Sequence, residues 1–135
     1  MEINPPAARG ANLATMLGLA IGSLLEPRRL VTASPEATAS DAARLMKEGN
    51  VGAVLVVEDG RLVGIFTERD MVYRVIAAGC DPRDAPIREV MTAQPVCVSP
   101  EETFGWALLL MHQHGFRHAP VVAEAERRKA IRRRA

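Results

Sequence analysis

The sequence predicts an α/β fold of the α+β type, in which two β-α-β-β-α repeats pack about a pseudo-twofold axis and the second repeat is incomplete. An internal repeat is the first observation behind this prediction: residues 31–57 align without a gap with residues 96–122, and ten of these 27 positions are identical. In both copies, short β-branched runs alternate with stretches of helical periodicity. Neither copy has enough apolar residues for a core of its own, so the copies are expected to pack sheet to sheet.

The composition of the 135 residues is that of a small globular protein with an aliphatic core, since 48% of them are hydrophobic but only 4% are aromatic. The net charge of +1 gives no electrostatic reason to expect nucleic acid or a membrane as a partner. The two cysteines, Cys80 and Cys97, have no paired spacing, which fits a reducing compartment. We therefore expect a cytoplasmic protein.

Residues 1–22 are expected to form an N-terminal tail and the start of an apolar helix, which we place at Thr15–Leu25. The apolar stretch from Ala11 to Leu25 is too short to span a bilayer. It also lacks the basic start and the small-residue cleavage site of a signal peptide. The helix is therefore expected to pack against the domain or against a partner chain.

The first repeat is expected to occupy residues 23–80 and to contain three strands and two helices. Gly49-Asn50 is a typical helix end, and Asp59-Gly60 is typical of a tight β-hairpin turn. The predicted strands are Val31–Ala33, Val51–Glu58 and Leu62–Phe66, and the predicted helices are Ala37–Glu48 and Asp70–Ala78.

The second repeat is expected at residues 87–123, after a linker at Cys80–Pro86. Its helix is predicted at Phe104–His114 and its strand at Ala119–Ala123. The lead-ins to the two repeats are also similar, since Ile21-Gly22-Ser23-Leu24-Leu25 resembles Ile87-Arg88-Glu89-Val90-Met91.

A candidate site lies where the second strand of the hairpin meets the following helix. Thr67 is a favourable N-cap residue, and Glu68 and Asp70 place acids at the positive end of the helix dipole. Free backbone N–H groups at a helix start bind phosphate, and a carboxylate accepts hydrogen bonds from a sugar diol. The geometry therefore fits a ribose and a phosphate. Alternatively, the same residues form a capped helix with an acidic first turn and no ligand.

Three stretches of the sequence carry a family resemblance. Gly64-Ile65-Phe66-Thr67-Glu68-Arg69-Asp70 closes the first copy, residues 85–92 form a lead-in to the second, and residues 116–122 run from an aromatic residue and a basic pair to Pro-Val-Val. Together with the tandem repeat, they resemble the CBS domain family over roughly Ser23 to Val122. The resemblance implies a compact pair of repeats, often called a Bateman module, that commonly dimerises. It also implies clefts for adenosine ligands such as AMP, ADP, ATP or S-adenosylmethionine.

The resemblance implies one complete ligand cleft between the two repeats. Asp70 matches the family's carboxylate for both ribose hydroxyls, and Thr67 matches its hydroxyl facing the phosphate. Arg117 and His118 match basic positions that reach the phosphate; a guanidinium is a fixed fork of donors, and histidine gains charge below neutral pH. The residues expected to flank the adenine are Ile65, Cys97, Val98 and Ala119.

The C-terminal end departs from the family pattern. At the offset of 65, Thr67 falls on Arg132 and Asp70 on Ala135, so the second copy lacks the Thr-x-x-Asp motif. Residues 124–135 instead form a basic stretch, which we interpret as a charged helix or a disordered tail. The second cleft, around Thr32, therefore lacks its ribose carboxylate. The open sheet edge must be covered by the tail, the N-terminal helix or a partner chain, and a homodimer is predicted.

The remaining candidate chemistries are weak. His112 and His114 point about 200° apart on a helix, which is a poor arrangement for a shared metal ion. No nucleophile–base pattern is visible, so neither an enzyme nor a catalytic cofactor is expected. Two functions remain: a regulatory module that senses an adenine nucleotide and signals to an effector protein, and a structural or interaction (dimerisation) module that has lost the ligand. A nucleic-acid-associated regulator, suggested by the basic tail, is the weaker third.

Overall fold

The computed structural model describes residues 13–24 and 30–123. Residues 1–12 of the N-terminal segment predicted at residues 1–22, and the predicted basic tail at residues 124–135, lie outside these ranges. The chain divides into two compact units, which we call unit 1 (up to Arg28, and from Val96 onward) and unit 2 (Arg29–Pro95). Within the described residues, no helix is both long and apolar enough to cross a bilayer.

The elements confirm a mixed α+β fold with tandem repeats. In chain order they are α1 (Leu13–Leu17), α2 (Ile21–Leu24), β1 (Thr32–Ala33), α3 (Ala39–Gly49), β2 (Ala53–Glu58), β3 (Arg61–Thr67), α4 (Glu68–Asp70), a π-helix (Met71–Ile76), α5 (Ile87–Val90), β4 (Thr92–Ala93) and α6 (Phe104–His114). Unit 2 contains a four-stranded sheet in the order β1-β2-β3-β4. The β1–β2 pair is parallel and the other two pairs are antiparallel.

The predicted hairpin joins β2 and β3. Asp59 and Gly60 both have positive φ, of 52° and 74°. Positive φ at both positions is typical of a two-residue turn whose backbone matches the right-handed twist of the flanking strands. A bulge follows Val56, because Val56 pairs with Gly64 while Val57 pairs with Leu62. The core of unit 2 lies between this sheet and the helices, and its fully buried side chains include Val54, Val56, Phe66, Val75 and Ile87.

Helix α3 begins two residues later than predicted, because Thr38 is its N-cap. The Thr38 hydroxyl accepts a hydrogen bond from the Asp41 N–H, and the Asp41 carboxylate accepts one from the Thr38 N–H. The helix ends at Asn50, which is in the left-handed conformation. It buries one face, formed by Ala39, Ala42 and Met46.

The second predicted helix, Asp70–Ala78, is only partly α-helical. Helix α4 covers its start, and the chain then widens into the π-helix. The wider turn shows in the hydrogen bonds, since the Ala77 N–H donates to the Val72 C=O (2.8 Å) and the Cys80 N–H donates to the Val75 C=O (2.9 Å). Apolar periodicity does not distinguish these i→i−5 bonds from ordinary helical ones, so the sequence could not predict them.

The single N-terminal helix predicted at Thr15–Leu25 is wrong in form. The described residues form two short helices, α1 and α2, separated at Gly18–Ala20, where Ala20 forms a bridge with Thr103. The prediction that this segment packs on the domain is confirmed within unit 1, where Ile21 is fully buried beside Val98 and Ala107. Helix α1 lies against α6 at Gly105, where an added Cβ would be only 3.1 Å from the Leu17 C=O.

Each repeat is completed by the lead-in of the other repeat. Unit 2 contains the lead-in of the second repeat, α5, and unit 1 contains the lead-in of the first, α2. The first residue of each lead-in makes the same kind of hydrogen bond: the Ile87 N–H donates to the Ala37 C=O, and the Ile21 N–H donates to the Glu102 C=O (both 2.8 Å). The second residues also correspond, since the Arg88 N–H donates to the Pro35 C=O (3.0 Å) and the Gly22 N–H donates to the Pro100 C=O (2.8 Å). The same exchange of lead-ins therefore occurs in both units.

The strand predicted at Ala119–Ala123 is reduced to one parallel bridge between Val98 and Val121. In unit 2 the corresponding strand, β2, is supported along its length by β3. At the offset of 65, the counterpart of β3 would be residues 126–132, which lie outside the described residues. Helix α6, in contrast, has the predicted limits, with Thr103 as N-cap and Gly115 as a left-handed C-cap.

Candidate functional site

The Thr67–Asp70 segment forms a reciprocal capping box where β3 ends and α4 begins. The Thr67 Oγ1 accepts from the Asp70 N–H (3.2 Å), and the Asp70 Oδ2 accepts from the Thr67 N–H (3.0 Å). Ile65 lies two residues earlier on β3, so it shares a face of the sheet with Thr67, and it is buried. The structure thus brings three predicted site residues of unit 2 together.

The prediction that free N–H groups at this helix start await a phosphate needs correction. The N–H groups of Thr67 and Asp70 are used by the capping box, and the Glu68 N–H donates to the Gly52 C=O (3.1 Å). Although the helix continues from α4 into the π-helix, these three amides are not available to an anion. A phosphate therefore has to be bound mainly by side chains.

The Asp70 carboxylate is surrounded by donors that the sequence analysis missed. The Thr92 hydroxyl lies 3.3 Å from Asp70 Oδ1 and 3.5 Å from Oδ2. The Arg74 Nε lies 3.5 Å from Oδ1, and the Arg74 Nη1 donates to the Met91 C=O at 2.8 Å. Arg74 could have been found from its i+4 spacing to Asp70, whereas Thr92 is placed by the β3–β4 pairing, in which it lies opposite Ile65.

The Thr38–Asp41 capping box of α3 provides an internal comparison. Its two hydrogen bonds are both 3.1 Å long, and Arg44 pairs with Asp41 at 3.4 Å. The hydrogen bond from the Thr38 N–H is the main cause that lowers the pKa of Asp41 below its ordinary value. The Asp41 side chain is nevertheless 46% exposed, whereas the Asp70 side chain is only 9% exposed. Capping a helix thus does not require a buried carboxylate.

The remaining predicted site residues lie in unit 1. The Val98 N–H donates to the Pro120 C=O (2.9 Å) and the Val98 C=O accepts from the Val122 N–H (2.9 Å), so Cys97 and Val98 run beside the segment that begins at Ala119. Val98 and Ala119 are buried, and Cys97 is half-buried.

The two basic residues of the predicted site differ in environment. Arg117 is exposed and makes no hydrogen bond or ion pair with another described residue, so its guanidinium is available to an anion. His118, which follows it, is half-buried. His112 and His114 are exposed on α6, where His114 stacks on Phe116 with ring centroids 5.5 Å apart. Among the described residues there is no cluster of side chains suited to a metal ion.

The chain matches the CBS domain family model at residues 24–77 and 87–130. The CBS domain-containing protein YhcV of Bacillus subtilis is 43% identical over 94 residues, which are 70% of this chain and 66% of YhcV. The chain therefore spans slightly less than two thirds of the length of that relative.

Two solved structures are similar in fold. The hexameric CBS-CP12 protein from bloom-forming cyanobacteria has a TM-score of 0.70 and 34% identity, over 77% of this chain and 61% of that chain. The CBS domain protein PAE2072 from Pyrobaculum aerophilum, solved in complex with AMP, has a TM-score of 0.72 over 80% of this chain and 82% of that chain. PAE2072 is 24% identical to this chain, so its similarity concerns the fold alone.

Proposed function

The chain belongs to the CBS domain family, and we propose that it is a regulatory module that senses an adenine nucleotide or a related adenosyl ligand. The candidate ligands are AMP, ADP, ATP and S-adenosylmethionine. The ligand is bound and released unchanged, and its presence is passed to an effector protein or to a second copy of the chain. AMP is bound by PAE2072, which has a similar fold.

The burial of the Asp70 carboxylate carries this proposal. Burying a charge costs free energy unless it is compensated, so a carboxylate that only caps a helix has no reason to be withdrawn from water. Asp41 caps its helix while its side chain is 46% exposed. Asp70 is only 9% exposed and is surrounded by Thr67, Arg74 and Thr92, as expected for a carboxylate that serves a ligand as well as the helix.

The other predicted ligand contacts have environments that suit their proposed roles. Ile65 is a buried apolar residue on the same strand face as Thr67, which suits contact with a base. Arg117 offers an exposed guanidinium for a phosphate, a role that gains weight because the Glu68 and Asp70 N–H groups of α4 are already bonded. His118, Ala119, Cys97 and Val98 remain predicted ligand contacts from unit 1.

Isothermal titration calorimetry with AMP, ADP, ATP, S-adenosylmethionine and NAD tests the proposed function. We expect one binding site per chain, because the second repeat lacks the Thr-x-x-Asp motif. Thr32→Ala should change the affinity little, since its cleft has no ribose carboxylate. Two equal sites would show that the choice of cleft is wrong. No heat with any of these ligands would leave the structural or dimerisation module as the function.

A second observation favours assembly of two copies. Two helices of the described chain expose apolar faces: the π-helix exposes Val72, Tyr73 and Ile76, and α6 exposes Trp106, Leu108 and Leu109. At the offset of 65, Trp106 corresponds to Asp41 and Leu109 to Arg44, which are polar residues on the exposed face of α3. The same helix thus has a polar outer face in one repeat and an apolar one in the other. We infer that α6 lies in a homodimer interface.

A double substitution that gives α6 the polar face of α3 tests this assembly. Trp106→Asp with Leu109→Arg should convert the dimer to a monomer, as measured by light scattering at micromolar concentration. The variant is expected to fold, because Asp at position 106 can complete a capping box with Thr103, as Asp41 does with Thr38. A wild-type mass of one chain, or an unchanged mass of the variant, would contradict the proposed interface.

A further inference from the structure

The Asp70 carboxylate is covered by a hydroxyl from its own unit. The Thr92 Oγ1 is nearly equidistant from the two carboxylate oxygens, at 3.3 and 3.5 Å. Both distances are longer than the usual O–H···O hydrogen bond of about 2.7–2.8 Å, so the bond is shared and weak. Thr92 makes no other side-chain hydrogen bond among the described residues.

The limited access to Asp70 restricts what can bind it. The carboxylate accepts hydrogen bonds from the Thr67 N–H and the Thr92 hydroxyl, and the Arg74 guanidinium forms an ion pair with it at 3.5 Å. With these three groups around it, the Asp70 side chain is only 9% exposed. A ribose diol has to bring two hydroxyl donors to the same carboxylate. A bound ribose must therefore replace one of the three groups.

Of the three groups, Thr92 is the one that can leave. The Thr67 N–H is part of the backbone and is held by the capping box. The Arg74 guanidinium is anchored by its 2.8 Å hydrogen bond to the Met91 C=O. The Thr92 hydroxyl needs only a rotation about χ1 to move to another staggered position.

We propose that Thr92 is a placeholder for a ribose hydroxyl and thereby lowers the affinity of the site for its ligand. When the site is empty, the Thr92 hydroxyl satisfies the buried carboxylate of Asp70. When a nucleotide binds, one ribose hydroxyl takes this position and Thr92 turns away. The inference rests on the proposed function, because it concerns the same site, and it assigns to Thr92 a part in setting the affinity.

Removing the Thr92 hydroxyl while keeping the shape of the side chain tests the inference. Thr92→Val should bind AMP about threefold to tenfold more tightly than the wild-type chain in calorimetry, because the ribose no longer competes with a hydrogen bond. The affinity for 2′,3′-dideoxy-AMP should not change, since that ligand has no diol. Thr92→Ser, which keeps the hydroxyl, should behave like the wild-type chain. Thr32→Val makes the same substitution on the exposed strand β1 and should change neither affinity.

Several outcomes would overturn the inference. Weaker or unchanged AMP binding by Thr92→Val would show that Thr92 supports the carboxylate or is irrelevant to it. An equal gain for AMP and for the dideoxy ligand would show a loosened site rather than a removed competitor. Thermal unfolding checks that the variant is folded, and Thr92→Ala in the same titrations replaces it if it is not. If the wild-type chain binds none of the ligands, the proposed function fails and this inference with it; if it binds and Thr92→Val changes nothing, only this inference fails.

Discussion

Unit 2 contains the same four-residue pattern twice, in Thr38-Ala39-Ser40-Asp41 and in Thr67-Glu68-Arg69-Asp70. Both copies form a reciprocal capping box with hydrogen bonds of 3.0–3.2 Å, and both have an arginine one turn later. They differ in what surrounds the carboxylate. Asp41 is at the surface, whereas Asp70 is buried and accepts a further hydrogen bond from Thr92 on β4.

The comparison shows that the Thr-x-x-Asp pattern specifies a helix start and not, by itself, a ligand site. A side chain from the strand next to β3 makes the difference, since Thr92 of β4 bonds the Asp70 carboxylate. Strand β4 approaches β3 closely at Gly64, where an added Cβ would overlap the Met91 sulfur and lie 3.0 Å from the Thr92 C=O. Among the described residues, the Asp41 carboxylate is bonded only by Thr38 and Arg44, so this second box is a control for substitutions at the proposed site.

The largest difference is expected for the two aspartates. Asp70→Ala should weaken nucleotide binding by roughly 1.5–3 kcal/mol, the usual scale of a hydrogen bond to a charged group. Asp41→Ala removes the same capping interaction and should leave the affinity unchanged. Calorimetry with AMP measures both. Equal losses of AMP affinity in the two variants would mean that the effect comes from helix stability. Asp70 would then not differ from Asp41 in its role.

The close approach of β4 is tested by Gly64→Ala. The added methyl group must displace Met91 and the backbone at Thr92, which should lower the free energy of unfolding by about 1–3 kcal/mol, as is usual for overpacking. The nucleotide affinity should also change, because Thr92 moves relative to Asp70. Urea unfolding and calorimetry check the two effects. A variant as stable as the wild-type chain would show that β4 is not held tightly against β3 at Gly64.

The two N-cap threonines, Thr38 and Thr67, are expected to contribute equally to stability. Thr38→Ala and Thr67→Ala each remove an N-cap hydroxyl and should each cost about 1 kcal/mol of the free energy of unfolding. Urea unfolding of both variants measures this cost. The similar hydrogen-bond lengths lead us to expect similar losses. A loss at one site several times that at the other would mean that the two caps are not equivalent.

The smallest effect is expected in the acid stability of α3. The pKa of Asp41 is lowered, mainly by the hydrogen bond from the Thr38 N–H, so its carboxylate stabilises the fold above the ordinary pKa of 3.8. This contribution is lost as the pH falls below 3.8 and through the lower pKa of the folded state. Asp41→Asn should therefore flatten the pH dependence of unfolding in this range. Parallel profiles for the variant and the wild-type chain would contradict the assignment.

Much of the fold could be predicted because it depends on local signals and on the internal repeat. The Asp59-Gly60 turn fixes the hairpin, and the caps Thr103 and Gly115 fix both ends of α6. The π-helix could not be predicted, since its sequence has the apolar periodicity of an ordinary helix. The break between α1 and α2 was also missed, because it depends on the pairing of Ala20 with Thr103, far along the chain.

At the candidate site, the sequence identified the residues that act locally. Thr67 and Asp70 are three positions apart, and their capping box follows from residue type and spacing. Thr92 is 22 positions from Asp70 and reaches it only because β4 pairs with β3, which no short-range pattern indicates. The occupied amides of α4 were missed for a similar reason, since the acceptor of the Glu68 N–H is Gly52, on the neighbouring strand connection.

The exchange of lead-ins bears on the order in which the chain folds during synthesis. Unit 2 is continuous in sequence, so all of its residues are synthesised before those that complete unit 1. Unit 1 joins α2 to residues that follow Val96, and Ile21 is buried against Ala107. At about 5–20 residues per second, the nascent α2 must wait roughly 4–17 seconds for this partner. During that interval the residues that bury Ile21 in the folded chain have not been made, so on a polysome this apolar segment is open to capture by a neighbouring chain or by a chaperone.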